Sequence, residues 1–267
     1  MSEDEVMCLL GSIVVAALTW IALLVNLARR AGLYRTWGMC LALVAAALAS
    51  ILMLLGLLMA FASSDVRHAP RYLVMYTALG AAWVGTLRIV LGATVGVRAR
   101  DDVGERGNAA ALLVQIGLIV GTTLAYTGGN FGDGPGWWVV VASAALSTAA
   151  LVGVWYLVEA MGRLSHLITI DRDLATGVRA GAMLVACGAI FGRAVAGTWL
   201  GIENLFFDFF RLAWPAALIV VAEIVSQLLL KPTPETPRPS LFVAGFPPAL
   251  MYLAIAGGAI YLMGWWT

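Results

Sequence analysis

Apolar stretches of roughly 18 or more residues recur along the whole chain, each long enough to cross a hydrocarbon layer about 30 Å thick. Charge does not interrupt them. Only 12% of the 267 residues are charged, where soluble domains carry roughly 25%. The ~10-residue alternating segments that build a membrane barrel are absent. The expected fold is therefore all-α, a polytopic integral membrane bundle. Eight transmembrane helices are expected, near 5–28, 37–63, 72–97, 107–128, 137–161, 174–200, 209–230 and 243–265. They divide into an N-terminal pair (1–71), a four-helix unit (72–200) and a C-terminal part (201–267) of an interfacial segment plus a final pair. The first residues, MSEDE, are acidic where a signal peptide is basic, so the first apolar run is expected to be a retained helix.

Basic residues in the short connections set the expected orientation. Arg29, Arg30, Arg35, Arg98, Arg100, Arg106, Arg163, Arg172, Lys231 and Arg238 fall in the first, third, fifth and seventh, with Arg179 just inside the sixth helix on the same side. Arg67, Arg71 and Arg211 fall on the other side. The odd connections are thus expected in the cytoplasm and both termini outside. Trp137, Trp138, Trp199, Trp214, Trp265 and Trp266 then cluster at outer helix ends, as an interfacial aromatic belt requires. GIENLFFDFFRLAW (201–214) is expected to lie in the interface, and the proline-rich KPTPETPRPS (231–240) to be an extended connector.

The run ERGNAAALLVQIG (105–117) joins a charged connection directly to an apolar helix. Asn108 is placed to cap that helix, its side chain accepting from free backbone N–H groups of the first turn. An unpaired donor near hydrocarbon costs several kcal/mol. A weaker echo follows 66 residues on. Glu105-Arg106-x-Asn108-Ala109 opens the fourth helix and Asp171-Arg172-x-Leu174-Ala175 the sixth, which suggests an internal repeat of helix pairs. Gly92-x3-Gly96, Gly117-x3-Gly121, Gly177-x3-Gly181 and Gly188-x3-Gly192 allow close helix contact, either within the bundle or across a homodimer seam.

The residues Gly107, Asn108, Ala109, Ala110 and Ala111, followed by Gly117 and Gly121, resemble the hallmark of the YjfL-like family of small bacterial inner-membrane proteins. The likeness covers about 72–200, with a second unit start at Leu174-Ala175-Thr176-Gly177-Val178. Leu112 stands where the pattern prefers alanine, and Leu174 where a second asparagine would stand. The resemblance implies a multi-pass protein of the bacterial inner membrane, of the kind associated with envelope-stress or conflict systems. It implies no activity, since the family carries a domain-of-unknown-function label.

Ionisable residues at membrane depth are costly and suggest function. At 1.5 Å per residue, Arg88 lies roughly 13 Å and Glu223 roughly 10 Å from the cytoplasmic surface. The matching levels and opposite signs lead us to expect a pair, with Gln227 and Gln115 completing a polar core. Such a core either fixes helix register or lines a path for protons or ions. Arg193, about 10 Å from the outer surface, is expected to reach Glu203 and Asp208. Glu159 and Arg163 form an ordinary helical pair.

Several classes are disfavoured. Lys231 is the one lysine and sits at a helix end, so no retinal Schiff base is expected. Cys8, Cys40 and Cys187 have no metal-site spacing, and His68 and His166 lie on opposite sides; no metal or cofactor is expected. Hydrolase, zincin and phosphate-loop motifs are absent, and a net charge of +1 suggests no nucleic-acid partner. Two readings stay open beside membrane lipids as the common partner. One is a non-enzymatic component acting through protein partners at its cytoplasmic loops. The other is an ion or proton channel or transporter built on Arg88 and Glu223.

Overall fold

A computed structural model describes residues 1–236 and 239–264. Arg238, Trp265 and Trp266 lie outside the described residues. The elements are α1 (Glu3–Tyr34), α2 (Trp37–Phe61), the short α3 (Ser64–Arg67), α4 (Pro70–Thr94), a π-helical turn (Ala99–Glu105), α5 (Ala109–Gly128), α6 (Trp137–Gly162), the short α7 (Leu164–Thr169), α8 (Leu174–Ala194), α9 (Ile202–Ala213), α10 (Pro215–Leu230), a second π-helical turn (Leu241–Gly245) and α11 (Phe246–Leu262). There is no strand among the described residues.

Seven of these helices are long and apolar enough to cross a membrane, counting the second π-helical turn with α11. The count is eight if α9 and α10, bent by 46° about Trp214, act together as one span. The expected helix at 209–230 thus breaks. Pro215 begins α10, where its missing N–H costs nothing, and the amphipathic α9 before it buries Leu205 and Phe209 while Phe206, Phe207 and Phe210 face outward.

Helix starts follow local chemistry. In α1 the Glu5 carboxylate accepts from the Ser2 N–H at 2.8 Å, and Glu3, Asp4 and Glu5 suit the positive end of the helix dipole. Pro70 opens α4 as Pro215 opens α10.

Helices α5 and α8 form the centre, with their most extensive contact being to each other. Helix α2 packs against α5, and α11 against α8; α4 fits between α2 and α5, α6 between α5 and α8, and α10 against α8 and α11. Helix α1 lies along α4, so contacts cross residue 71 without a break. Its outward face carries Met7, Leu10, Val14, Leu18 and Ile21, all exposed. An apolar face of this kind needs lipid, not water, around it. Most arginines gather at the end formed by the α1–α2, α4–α5, α6–α8 and α10–α11 connections, hereafter the basic end.

Candidate functional site

The centre of the bundle is built from glycine. An added Cβ on Gly117 would overlap the Gly181 carbonyl, one on Gly121 the Leu184 carbonyl, one on Gly188 the Gly121 carbonyl, and one on Gly128 the Gly192 carbonyl. Gly177 meets Ala110 in the same way, with a Cβ only 2.7 Å from its Cα. The contacts advance together along both chains, so α5 and α8 run parallel with backbone against backbone. These glycines are used inside the bundle, so a homodimer seam through them is closed off.

Both central helices begin with the same hydrogen bonds. The Asn108 N–H donates to Asp102 O and the Asp173 N–H to Leu167 O, each at 2.9 Å. The Arg106 N–H donates to Asp101 O (3.0 Å) and the Asp171 N–H to His166 O (3.2 Å). Gly107 and Arg172 then both take a left-handed conformation, with φ of 58° and 53°. Asn108 Oδ1 accepts from the N–H groups of Ala110 (3.0 Å) and Ala111 (3.3 Å), and its Nδ2 donates to Ile168 O at 2.7 Å. Asp173 accepts from Ala175 (3.3 Å) and Thr176 (3.0 Å). The counterpart of Asn108 is therefore Asp173, not Leu174, and these two helix caps are 65 residues apart, as Asp102 and Leu167 are, rather than 66. Ala109 opens α5 beside its cap. Replacing Asn108 by alanine is expected to lower stability by about 2 kcal/mol and Asp173→Ala by about 1 kcal/mol, read as midpoint shifts in denaturant titrations of the protein in micelles. Asn108 loses more because its third bond, to Ile168, ties α5 to the turn that leads into α8, whereas the third bond to Asp173, from Thr176 Oγ1, stays within its own first turn.

The buried charges pair differently from the sequence expectation. Glu223 of α10 meets Arg179 of α8, Nε to Oε2 at 3.4 Å, with both side chains fully buried. Tyr252 of α11 donates to Glu223 Oε2 at 2.8 Å and Gln227 Nε2 to Oε1 at 3.1 Å. Arg179 also donates to Thr176 Oγ1 at 3.0 Å and to the Ala244 carbonyl in the second π-helical turn. Asp173, Thr176 and Arg179 follow one another at three-residue steps, so they share a face of α8. Helices α8, α10 and α11 are thus joined by one network. Arg179, Glu223, Gln227 and Tyr252 are each 3% exposed or less. A charge pair this deep survives because the partner and the added hydrogen bonds satisfy both ions.

Arg88 is not in this network. It extends to α1, where Nη2 donates to Thr19 O at 3.3 Å and the guanidinium lies 5.9 Å from the Trp20 ring centroid. Gln115 is also elsewhere; it donates to Val97 O at 2.7 Å, tying α5 to the connection that follows α4. Of the expected core, Glu223 and Gln227 come together and Arg88 and Gln115 do not. Arg179 and Tyr252 were missed. The three-residue steps from Asp173 and the matching depth of Arg179 were signals in the sequence; for Tyr252 there was none.

At the other end, Arg193 donates to the carbonyls of Met263 (2.9 Å) and Gly264 (3.1 Å). It caps the carboxyl end of α11, where a cation complements the free carbonyls and the helix dipole, instead of meeting Glu203 or Asp208. Glu203 is exposed, and Asp208 lines a polar pocket of about 70 Å³ with Asp65, Asn130, Asp133 and Asn204. Two loops frame that pocket, joined by the Gly197 N–H to Phe131 O and the Trp199 N–H to Asp133 O, both at 2.8 Å. Among the described residues no group of three His, Cys, Asp or Glu side chains is placed to hold a metal ion.

No protein-family model, curated protein or solved structure matches the chain.

Proposed function

We propose that the chain is a non-enzymatic, multi-pass component of the bacterial inner membrane that works through protein partners at a cytoplasmic basic end, within an envelope-stress or defence system. The orientation rests on the distribution of arginine, which puts both termini outside. In this reading α9 lies in the outer interface and leads into α10 as an eighth, broken span. The matched helix caps of α5 and α8, 65 residues apart, support two copies of a helix-pair unit, and the resemblance to YjfL-like proteins over 72–200 supports the bacterial inner membrane.

The observation that carries the choice of a partner-binding role over conduction is the burial of Glu223. A proton or ion path needs water or a titrating group in contact with one. Glu223 is enclosed by Arg179, Tyr252 and Gln227, and its charge is already compensated. The exposed arginines of the basic end, among them Arg98, Arg100 and Arg106, give partners a charged surface to meet. Purified protein in proteoliposomes is expected to pass no more protons or potassium ions than protein-free vesicles, with or without an imposed potential. A flux in the wild type that disappears in a folded Glu223→Gln variant would overturn the proposal and favour a transporter.

A further inference from the structure

The Arg88 guanidinium is a buried cation without a carboxylate. Its side chain is 9% exposed, yet among the described residues no Asp or Glu forms an ion pair with it. The Thr19 carbonyl takes one N–H and the Trp20 ring one face, and Nε has no partner. One weak carbonyl bond and a cation–π contact are small against the cost of holding a full charge at membrane depth. The charge is about 9 Å inside the end of α4, counting six residues to Thr94.

The same side chain lines a cavity of about 220 Å³ between α1, α4 and the first π-helical turn. Asn26, Gly92, Arg98 and Arg100 complete the polar part of its wall. Gly92, one turn from Arg88, brings bare backbone to the same wall. At about 30 Å³ of liquid volume per water, the space exceeds that of a few water molecules. Three guanidinium groups line it (Arg88, Arg98 and Arg100), and the π-helical turn beside it carries three carboxylates, of which Asp102 is held by Arg106 at 2.8 Å. Asp101 is shared by Arg98 (3.7 Å) and Arg100 (3.5 Å), and Glu105 by Arg30 (2.7 Å) and Arg100 (3.9 Å). Positive charge remains uncompensated where the wall is deepest.

The geometry points to an anion: we propose that this cavity holds the phosphate of an acidic phospholipid from the leaflet at the basic end. Arg88 contacts the phosphate from within, and Arg98 and Arg100 contact it or the headgroup from the rim. A guanidinium suits phosphate oxygens through directed, charge-assisted bonds. The lipid source, as opposed to a free phosphate, follows from the surroundings. Ile89 borders the cavity and is half exposed, and Val90, Leu24 and Val25 continue an exposed apolar surface on the two helices that form it. An acyl chain covers that surface while the phosphate turns inward; a soluble anion would leave it bare.

The test uses the full-length protein in neutral detergent, read by native mass spectrometry with phosphatidylglycerol, phosphatidylcholine and inorganic phosphate as probes. One phosphatidylglycerol is expected to be retained at about tenfold lower concentration than phosphatidylcholine, whose trimethylammonium group opposes the site. Arg98→Gln and Arg100→Gln are each expected to weaken retention about fivefold, and Arg88→Gln by tenfold or more, with Arg88→Lys recovering part of the loss. Ala22→Phe, which adds bulk to the cavity wall and removes no charge, should block retention. Equal retention of the two lipids overturns the proposal, as does wild-type retention in folded Arg88→Gln. Displacement of phosphatidylglycerol by inorganic phosphate at equal concentration also overturns it, since the site would then belong to a free anion. If Arg88→Gln does not fold, the rim variants and Ala22→Phe decide: unaltered phosphatidylglycerol retention in all three rejects the site.

Discussion

Glu223→Leu is expected to destabilise the protein by about 3–5 kcal/mol, measured by reversible denaturation in micelles. The substitution leaves the Arg179 guanidinium buried at 0% exposure without its counter-charge and takes from the Tyr252 hydroxyl its shorter bond, leaving it only Ser226 Oγ at 3.1 Å. Arg179→Met should cost about as much, for the mirror reason. The double variant Arg179→Met/Glu223→Leu should recover most of the loss, because an apolar pair of similar size can replace a buried ion pair at little net cost. Non-additivity of this size marks direct contact. Arg88 provides the control. It bonds to α1 and not to Glu223, so Arg88→Met and Glu223→Leu should add within about 0.5 kcal/mol. Strong coupling between Arg88 and Glu223, with none between Arg179 and Glu223, would show that the network is wrongly drawn.

Gly121→Ala or Gly188→Ala in the central seam is expected to cost about 1–3 kcal/mol, and larger side chains more. Each added Cβ meets a carbonyl of the facing helix, and backbone cannot rotate away as a side chain can. The helices must separate, which loosens the whole bundle, since α5 and α8 hold the others in place. Gly153 in α6 and Gly257 in α11 have open space around their Cα atoms. There alanine should be neutral or stabilise by up to about 1 kcal/mol, through helix propensity alone. Thermal melts of the four variants in one detergent give the comparison. Equal effects at all four positions would remove the seam from the centre of the fold.

The spans were legible because apolar length is a local property: about 20 residues either cross a membrane or do not. The break at Trp214–Pro215 was less so, since the aromatic run 205–214 joins an apolar run and only the amphipathic pattern separates them. The Asn108 cap was readable from residue type and place. Its counterpart was read one position late because common residues around Leu174 fit the motif equally well; hydrogen bonding, not composition, puts Asp173 in the cap. The pairing of Glu223 was lost for a different reason. Depth along a helix follows from counting residues, but the direction a side chain faces around the bundle depends on helix order, which a single sequence does not contain. Arg88 and Arg179 sit at similar levels, and only the second faces α10. Arg193 shows the same limit, because the carbonyls it caps belong to every residue and leave no mark in composition.

The most direct test asks whether water reaches Glu223. Ser226 touches Tyr252 within the network and is 7% exposed. In a background with Cys8, Cys40 and Cys187 replaced, Ser226→Cys is treated with a small charged thiol reagent from each face of sealed vesicles, beside Ser240→Cys at the exposed basic end. Ser240→Cys should react from one face, and Ser226→Cys from neither until the protein is denatured. Labelling of Ser226→Cys in the folded protein, at a rate near that of Ser240→Cys, would mean an aqueous path to the buried pair and would contradict the sealed bundle.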